Sequence, residues 1–512
     1  MMLRVETKNR HIQNSVNSIN DLMTQIVGFV RTNPNWSLQA VIYLLCIMYE
    51  AINTYQELID KGASPEYAIA RSCGAVVKLM MISILIPLSR VAYTKVQNSD
   101  AGHHLGLEHR ILDHKLFASG IMMFSSLHAI AHYFYNRDNY LKQPGITGMV
   151  MLGTLVAPIG GVFLMRHFTK SNNKHSYEVS VLHPHQIGAA AFVGAYMVHT
   201  PDLRLLKYAA VTCLPMAIDR IVEFVCYRYP TTIKAARIVL NTDYMHLRLE
   251  RPAKFDNFVP GQYVLLSIPA IDGFFRMPHP FTLVNDNGRE LELLIKKTGP
   301  WTIKLYDWIT QHPEHQSLRA VVIGPYGSPL VPAHAKHALT MIGTGIGMTP
   351  ALAVLNGISN QIITDYKLDI HLSQRSLREF EPCVDALCQK DKRYSTTNMT
   401  VHFYLTGREP DRNAVIEDLR SLGNKKKITF FIPEGSQYIS PAQAQYPGKQ
   451  TRKKTALSQA GMFAVHIHLS RPNLKAIVSG SEAVSACGNP EVTKQVDALA
   501  KGCRIKCHLE SF

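Results

Sequence analysis

The first half of the chain alternates long apolar stretches with short polar ones. Six of the apolar stretches read as membrane-spanning helices, at about 38–56, 69–90, 115–135, 146–165, 182–200 and 205–227. A helix needs roughly 20 mostly apolar residues to cross a ~30 Å hydrocarbon core. From about residue 232 the texture changes to short runs broken by turn residues, which is the pattern of closely spaced strands. After about 336, strands and helices alternate in the order of a doubly wound sheet. The pattern predicts a polar N-terminal segment (1–37), a six-helix bundle (38–228), an antiparallel β-barrel (232–333) and an α/β domain (336–512). The first 37 residues show no signal-peptide pattern, so the first span is expected to act as the insertion signal.

Histidines mark two of the spans. His114 and His128 are 14 residues apart, and so are His185 and His199. On a helix, that spacing advances ~21 Å and returns to within about 40° of the same direction. The third and fifth spans run parallel, so His114 pairs with His185 near one face, and His128 with His199 near the other. Imidazole is an axial ligand of haem iron. A lone membrane histidine is commonly a satisfied polar residue, but the repeated spacing predicts two stacked b-type haems. Stacked haems make an electron wire across a membrane. His183 competes for the place of His185, and the spacing favours His185.

Charge sets the orientation. Arg90, Lys95, Arg110 and Lys115 lie between spans two and three, and Arg166, Lys170 and Lys174 between four and five. By the positive-inside rule both termini and the second half face the cytosol. The formal charge of +16 is spread over membrane-flanking loops and the cytosolic half. That distribution argues against nucleic acid and for anionic lipid, a dinucleotide phosphate site and acidic regulatory partners. The nine cysteines show no C-x-x-C pair, so neither a structural disulfide nor a metal site other than haem is expected.

Arg71 opens the second span, and His132 follows His128 by one helical turn. Bis-histidine iron has no open position, so an acceptor takes its electron at the haem edge. Molecular oxygen suits a small pocket where Arg71 or His132 stabilises an anionic product. Arg71 reads equally as a partner for a haem propionate or a snorkelling side chain. A ferric chelate needs a wider opening.

In the second half, Val239-Leu240, Met245–Leu249, Gln262–Ile268 and Leu291–Ile295 read as barrel strands. Within them lie His279, Pro280, Phe281 and Thr282. The histidine and threonine can hydrogen-bond a flavin, while the proline and phenylalanine hold the strand against its rings. Lys296-Lys297 and Gly299-Pro300-Trp301-Thr302 supply cation, turn and helix start, and Gly324–Gly327 closes the barrel. The strand Leu339–Ile342 leads into Gly343-Thr344-Gly345-Ile346-Gly347-Met348-Thr349-Pro350 and a helix start at Ala351. Glycines there permit a tight turn and close approach, and the helix N-terminus offers free N–H groups to a pyrophosphate. Arg375 follows the next strand, Lys367–Leu372, where an arginine commonly receives a 2′-phosphate and favours NADPH. A surface salt bridge is the other reading of Arg375. Arg471-Pro472-Asn473 precedes the apolar run Leu474–Val478, which leads into Ser479-Gly480. Residues 433–460 read as a flexible insertion.

Taken in order, these motifs resemble the NADPH oxidase family of the ferric reductase superfamily over nearly the whole chain. Ala70-Arg71, Leu85-Ile86-Pro87, Asp113-His114-Lys115, Leu127–His132, Pro215 and Asp219-Arg220 resemble that family's membrane helices. H-P-F-T-L, G-P-W-T, G-P-Y-G, G-T-G-I-G-M-T-P, Y-L-T-G and R-P-N follow in family order. The resemblance implies a ferredoxin reductase-like cytosolic half and haem ligation by the four named histidines. It implies FAD on His279, Thr282, Trp301 and Thr302, with Lys297 in place of a cation that is often arginine. It places NADPH on Gly343–Pro350, Arg375 and Arg471. Phe512 fits a C-terminal aromatic that covers the flavin face. The family's Cys-Gly-Pro, whose cysteine helps position the nicotinamide, is matched to Ser479-Gly480-Ser481, and Cys487-Gly488 is expected inside the following helix. The implied activity is NADPH-driven superoxide formation from molecular oxygen, with ferric-chelate reduction as the alternative. Activation is expected from cytosolic activator proteins or an auxiliary membrane subunit. Direct calcium control is not expected, since no D-x-D-x-D-G loop precedes the spans.

Overall fold

The computed structural model describes residues 34–99, 110–139, 145–156, 204–239, 241–272, 278–312, 318–327, 338–359, 367–388, 399–407, 412–426, 429–432, 437–439 and 464–510, with isolated positions between 27 and 199. The chain divides into two compact units, a helical one over Asn35–Cys226 and a second one over Tyr227–Phe512 with the N-terminal residues.

The helical unit contains α1 (Pro34–Asp60), α2 (Pro65–Ile84), α3 (Arg90–Gln97), α4 (Arg110–Tyr135), α5 (Gly145–Val156) and α6 (Arg204–Cys226). Among the described residues, α1 and the stretch Pro65–Leu88 are long and apolar enough to cross a membrane. α4 and α6 match the sequence reading in position. α4 falls short in hydropathy, carrying His128 and His132 beyond its charged first turn, and Asp219, Arg220 and Glu223 interrupt α6. α2 is the inner helix. Ser64 caps its start by accepting from Tyr67 N–H at 3.4 Å. It buries the small residues Ala68, Ala70, Ser72 and Cys73, which lets α4 pack close against it. Pro87 lacks the N–H to continue the helix, and the chain turns through Ile86–Leu88. α6 stitches that break. Arg220 donates to the Leu88 carbonyl at 2.8 Å, and Asp219 accepts from Ala92 N–H at 2.8 Å. The outward faces are apolar, with Leu38, Leu45, Ile130, Phe134, Ile221, Phe224 and Val225 all exposed.

The second unit starts directly after α6. Its strands β1 (Arg228–Ile238), β2 (Tyr244–Glu250), β3 (Tyr263–Ser267), β4 (His279–Asp286), β5 (Glu290–Lys296) and β6 (Leu318–Tyr326) close a barrel in the order β1-β2-β5-β4-β3-β6. Every pairing is antiparallel. Alternating apolar residues such as Leu247, Leu249, Val264, Leu266, Leu283, Leu291 and Leu293 fill its core. The helix α7 (Pro300–Gln311) plugs it with Leu305 and Ile309.

The α/β part holds β7 (Ala338–Thr344), α8 (Thr349–Ser359), β8 (Lys367–Gln374), α9 (Glu381–Cys388), β9 (Met399–Leu405), α10 (Arg412–Lys426), β10 (Thr429–Ile432), β11 (Gln437–Ile439), β12 (Ala464–His468), α11 (Leu474–Ser479), β13 (Ala483–Cys487), α12 (Pro490–Cys503) and β14 (Lys506–Glu510). The sheet order is β11-β10-β12-β9-β8-β7-β13-β14, parallel apart from the β10–β11 edge. β11 falls inside the stretch read as a flexible insertion, so part of that stretch is sheet. Barrel residues Val239, Tyr244, Val284 and Leu294 join the core of this sheet and its helices.

Candidate cofactor sites

In the helical unit, α2 and α4 pack against each other antiparallel to hold histidines at two levels. His128 Nδ1 lies 2.6 Å from the Ala70 carbonyl, and His114 Nδ1 lies 3.0 Å from the Ile84 carbonyl. A carbonyl only accepts, so each Nδ1 carries the hydrogen and the lone pair sits on Nε2. Haem and metal ligation use this tautomer, with the ring oriented by a second partner. The two carbonyls on α2 are 14 residues apart, as are the two histidines on α4.

His199 Nδ1 lies 3.0 Å from Thr147 Oγ1 on α5. The ring centroids of His128 and His199 are 6.4 Å apart. That gap admits one atom bonded at ~2 Å to a nitrogen of each ring, so the pair fits a haem iron. His132 packs edge-on to His128, with centroids 4.6 Å apart, and Arg71, next to Ala70, is exposed. His185 lies outside the described residues, and so does its rival His183.

Two glycines make these approaches possible, and the sequence reading missed both. A β-carbon at Gly74 would stand 3.2 Å from His128 Nδ1, and one at Gly148 would stand 2.9 Å from His199 Cε1. An apolar helix gives no sign of what its glycines face.

In the second unit, β4 presents the flavin motif. His279 stacks on Trp301 at 4.4 Å between centroids, and Phe281 lies 5.6 Å from the same indole. Trp301 Nε1 donates to Asp272 at 2.6 Å, which fixes the plane of the ring. Pro280 is exposed and Thr282 is buried. Thr302 is spent locally, since its hydroxyl accepts from the Thr298 and Gly299 N–H groups at 2.9 Å and caps α7. Lys297 is likewise occupied. It pairs with Asp307 at 3.0 Å and lies over the Tyr306 ring.

Its neighbour Lys296, the last residue of β5, lies over the Tyr244 ring instead. A β-carbon at Gly345 would stand 4.0 Å from both Lys296 Nζ and the Tyr244 hydroxyl. Lys296 is therefore a cation beside the nucleotide turn, and the sequence analysis does not single it out.

The turn itself folds as expected. Gly345 takes φ +57, and Gly343 sits against Leu372 and the Gly347 carbonyl with no room for a β-carbon. Residues Gly345–Met348 form a single 3-10 turn before α8. Thr349 is buried and donates to the Ile346 carbonyl at 3.1 Å, and Pro350 follows it in the first turn of α8. Gln374 Nε2 donates to the Gly345 carbonyl at 2.8 Å, while its Oε1 accepts from the Tyr244 hydroxyl at 3.1 Å. Burial pushes the Tyr244 phenol well above its ordinary range, so it stays a donor. The barrel thereby holds the nucleotide turn in place. α8 completes the link through Asn356, which donates to the Val284 carbonyl of β4 at 2.9 Å.

Arg375 is exposed at the end of β8, with its N–H on Glu379 at 2.8 Å. Arg471 is exposed ahead of α11.

Ser479 and Gly480 are corrected. The run Leu474–Val478 is helical because the Asn473 side chain caps it, accepting from Ala476 N–H at 3.1 Å. Ser479 ends that helix, exposed, with its hydroxyl on the Ala476 carbonyl. Gly480 follows it as the cap. Both precede β13, at the end of the sheet away from the glycine turn. Cys487 is not in a helix. It ends β13 in register with Gly343, and Gly347 packs directly on its carbonyl. Gly488 takes φ +126 against Thr344, and α12 begins after Asn489. Cys487-Gly488 thus occupies the place assigned to Ser479-Gly480. β14 ends at Glu510 opposite Cys487, and Phe512 lies outside the described residues.

A closed antiparallel barrel against a parallel sheet with a glycine turn defines a flavin- and nicotinamide-dependent reductase. Comparison with known proteins agrees. Residues 230–330 match the FAD-binding domain family, and residues 336–501 match the ferric reductase NAD binding domain. The ferric/cupric reductase transmembrane component 2 of Saccharomyces cerevisiae is 24% identical over 74% of this chain and 52% of its own. Respiratory burst oxidase homolog protein A of Solanum tuberosum is 22% identical over 84% of this chain and 53% of its own. Human dual oxidase 1 is 22% identical over 72% of this chain and 26% of its own. The chain spans about half the length, or less, of these relatives. It belongs to the superfamily that holds the NADPH oxidases and the ferric reductases, and it is an oxidoreductase.

Proposed function

We propose that the chain carries electrons from cytosolic NADPH across a membrane to molecular oxygen, releasing superoxide on the far side. When bound, FAD supplies the change from hydride to single-electron chemistry, and two b-type haems supply the path across the bilayer. The observation that carries this reading is the matched pair of histidine–carbonyl contacts between α2 and α4. It presents two Nε2 lone pairs at the two levels a di-haem wire requires. His185 and His199 complete the ligand set. The apolar exterior of α1, α4 and α6 suits contact with lipid.

Each remaining residue has a defined task. His279, Phe281 and Trp301 form an aromatic wall for the flavin, and Pro280 and Thr282 extend its strand. Gly343, Gly345 and Gly347 keep the turn open to a pyrophosphate, Lys296 adds positive charge, and Arg375 and Arg471 reach for the adenine-side phosphate. Cys487 closes the nicotinamide end of the sheet, in the register that brings Glu510, the end of β14, beside it. Arg71 and His132 stand at the outer histidine level, where an anionic product forms.

A ferric-chelate reductase on the same electron path is the second reading, favoured by the yeast relative. The two separate in membranes supplied with FAD and NADPH under air. Superoxide dismutase-sensitive cytochrome c reduction that a ferric chelate leaves unchanged supports the oxidase. Chelate reduction that persists under nitrogen, with little superoxide in air, moves the assignment to a metalloreductase.

A further inference from the structure

The sheet of the α/β part carries a polar cluster that the cofactor sites do not use. On β8, β9 and β12 the residues of one face are Ile370, Leu372, Val401, Phe403, Leu405, Val465 and Ile467, all in the core. The other face carries Asp369, His371, His402, Tyr404, His466 and His468. His371, His402 and His466 are in register across the three strands, and Tyr404 is in register with His468. A parallel sheet covered on both faces is ordinarily apolar on both, so this concentration of imidazole needs a reason.

Its geometry supplies one. Asp369 Oδ2 lies 3.1 Å from His371 Nε2, and Asp369 Oδ1 lies 3.5 Å from His402 Nε2. Two donors bonded to zinc at ~2.0 Å and held at a tetrahedral angle stand ~3.3 Å apart, between those two distances. The three ligand atoms lie within 4.8 Å of one another. His371 is only 5% exposed, and neither its Nε2 nor Asp369 Oδ1 has a hydrogen-bond partner among the described residues. The 3.1 Å separation is therefore close but not in line for a hydrogen bond, and buried polar atoms without partners are costly.

The other nitrogen of each ring is held. The Tyr404 hydroxyl lies 3.0 Å from His371 Nδ1, and His468 Nε2 lies 3.0 Å from His402 Nδ1. When both Nδ1 atoms donate, both Nε2 lone pairs point at a carboxylate, an arrangement that repels unless a cation lies between. Metal-binding histidines are commonly oriented by such second partners.

The geometry points to a divalent transition-metal site formed by Asp369, His371 and His402, oriented by Tyr404 and His468, with zinc the ion it fits. Two imidazoles and one carboxylate leave a fourth position for water. The site lies four to six residues before Arg375, ~13–20 Å along the strand. It therefore fastens β8 to β9, away from the dinucleotide.

The test is equilibrium dialysis of the purified full-length protein, first stripped with a chelator, against Zn²⁺ alone. Zinc is then counted per chain by plasma mass spectrometry, separately from haem iron. Asp369→Asn and His402→Gln are dialysed in parallel, with bound FAD as the check on folding. One zinc per wild-type chain, held at least tenfold more weakly by each folded variant, is the expected result. No zinc on the wild type overturns the proposal, as does equal retention by wild type and a folded variant. If both variants lose FAD, the thermal midpoint of the wild type decides. A rise on adding Zn²⁺ that a chelator reverses supports the site, and no rise overturns it.

Discussion

His128 Nδ1 rests 2.6 Å from the carbonyl oxygen of Ala70, and this contact between α4 and α2 sets the chemistry of the helical unit. It fixes the tautomer, aims Nε2 away from α2, and brings the ring within 6.4 Å of His199. The contact depends on small residues at the crossing.

Gly148→Ala should therefore cost more haem than Gly74→Ala. The added methyl would meet His199 Cε1 at 2.9 Å in the first variant and His128 Nδ1 at 3.2 Å in the second, where a small shift relieves it. In a pyridine haemochrome assay, Gly148→Ala is expected to fall from two haems per chain towards one, with FAD content unchanged. Gly74→Ala should retain most of its haem.

Cys487→Ala is expected to slow anaerobic reduction of bound FAD by NADPH on the order of tenfold to a hundredfold, the effect of a misplaced reactant. Ser479→Ala should leave that rate unchanged, because Ser479 ends α11 at the far end of β13. Stopped-flow absorbance of the flavin reads both.

Lys296→Ala should raise KM for NADPH about tenfold, or ~1.4 kcal/mol, the size of one charge-assisted contact. Lys297→Ala should change it little, since that side chain is already paired with Asp307. The same effect from both variants would contradict the placement of Lys296, and not Lys297, beside the glycine turn.

The barrel should weaken in acid through Glu292. Burial pushes its carboxyl up, but hydrogen bonds from His246 and Asn285 and the charges of His246 and Arg248 outweigh it and hold the pKa below the ordinary 4.5. A depressed carboxylate pKa contributes stability above the unfolded value and loses it as pH falls through the folded one. Glu292→Gln should lower the thermal midpoint at pH 7 and lose less as pH falls from about 5 to about 3 than the wild type.

Much of this architecture is legible in the residues themselves. The 14-residue histidine spacing, the strand-turn-helix around Gly343–Pro350 and the alternation that closes the barrel all depend on local periodicity. What was missed depends on long-range register or on side-chain direction. Lys296 and Lys297 are adjacent in sequence but lie over different rings, Tyr244 and Tyr306, and sequence alone does not give side-chain direction. A five-residue apolar run such as Leu474–Val478 has no period that tells strand from helix, so the sequence does not show that it is a helix capped by Asn473 or that Cys487 ends the strand after it. The metal-site residues are far apart in sequence, and parallel pairing of β8, β9 and β12 brings them together.

The most direct test of the electron path is the optical spectrum of the purified, FAD-loaded protein after anaerobic addition of NADPH. Full reduction of two bis-histidine haems per chain, abolished by His128→Leu at the outer level and by Cys487→Ala within the same mixing time, is the predicted result. Flavin that bleaches while no haem band develops would contradict the account and leave a cytosolic reductase with no path across the membrane.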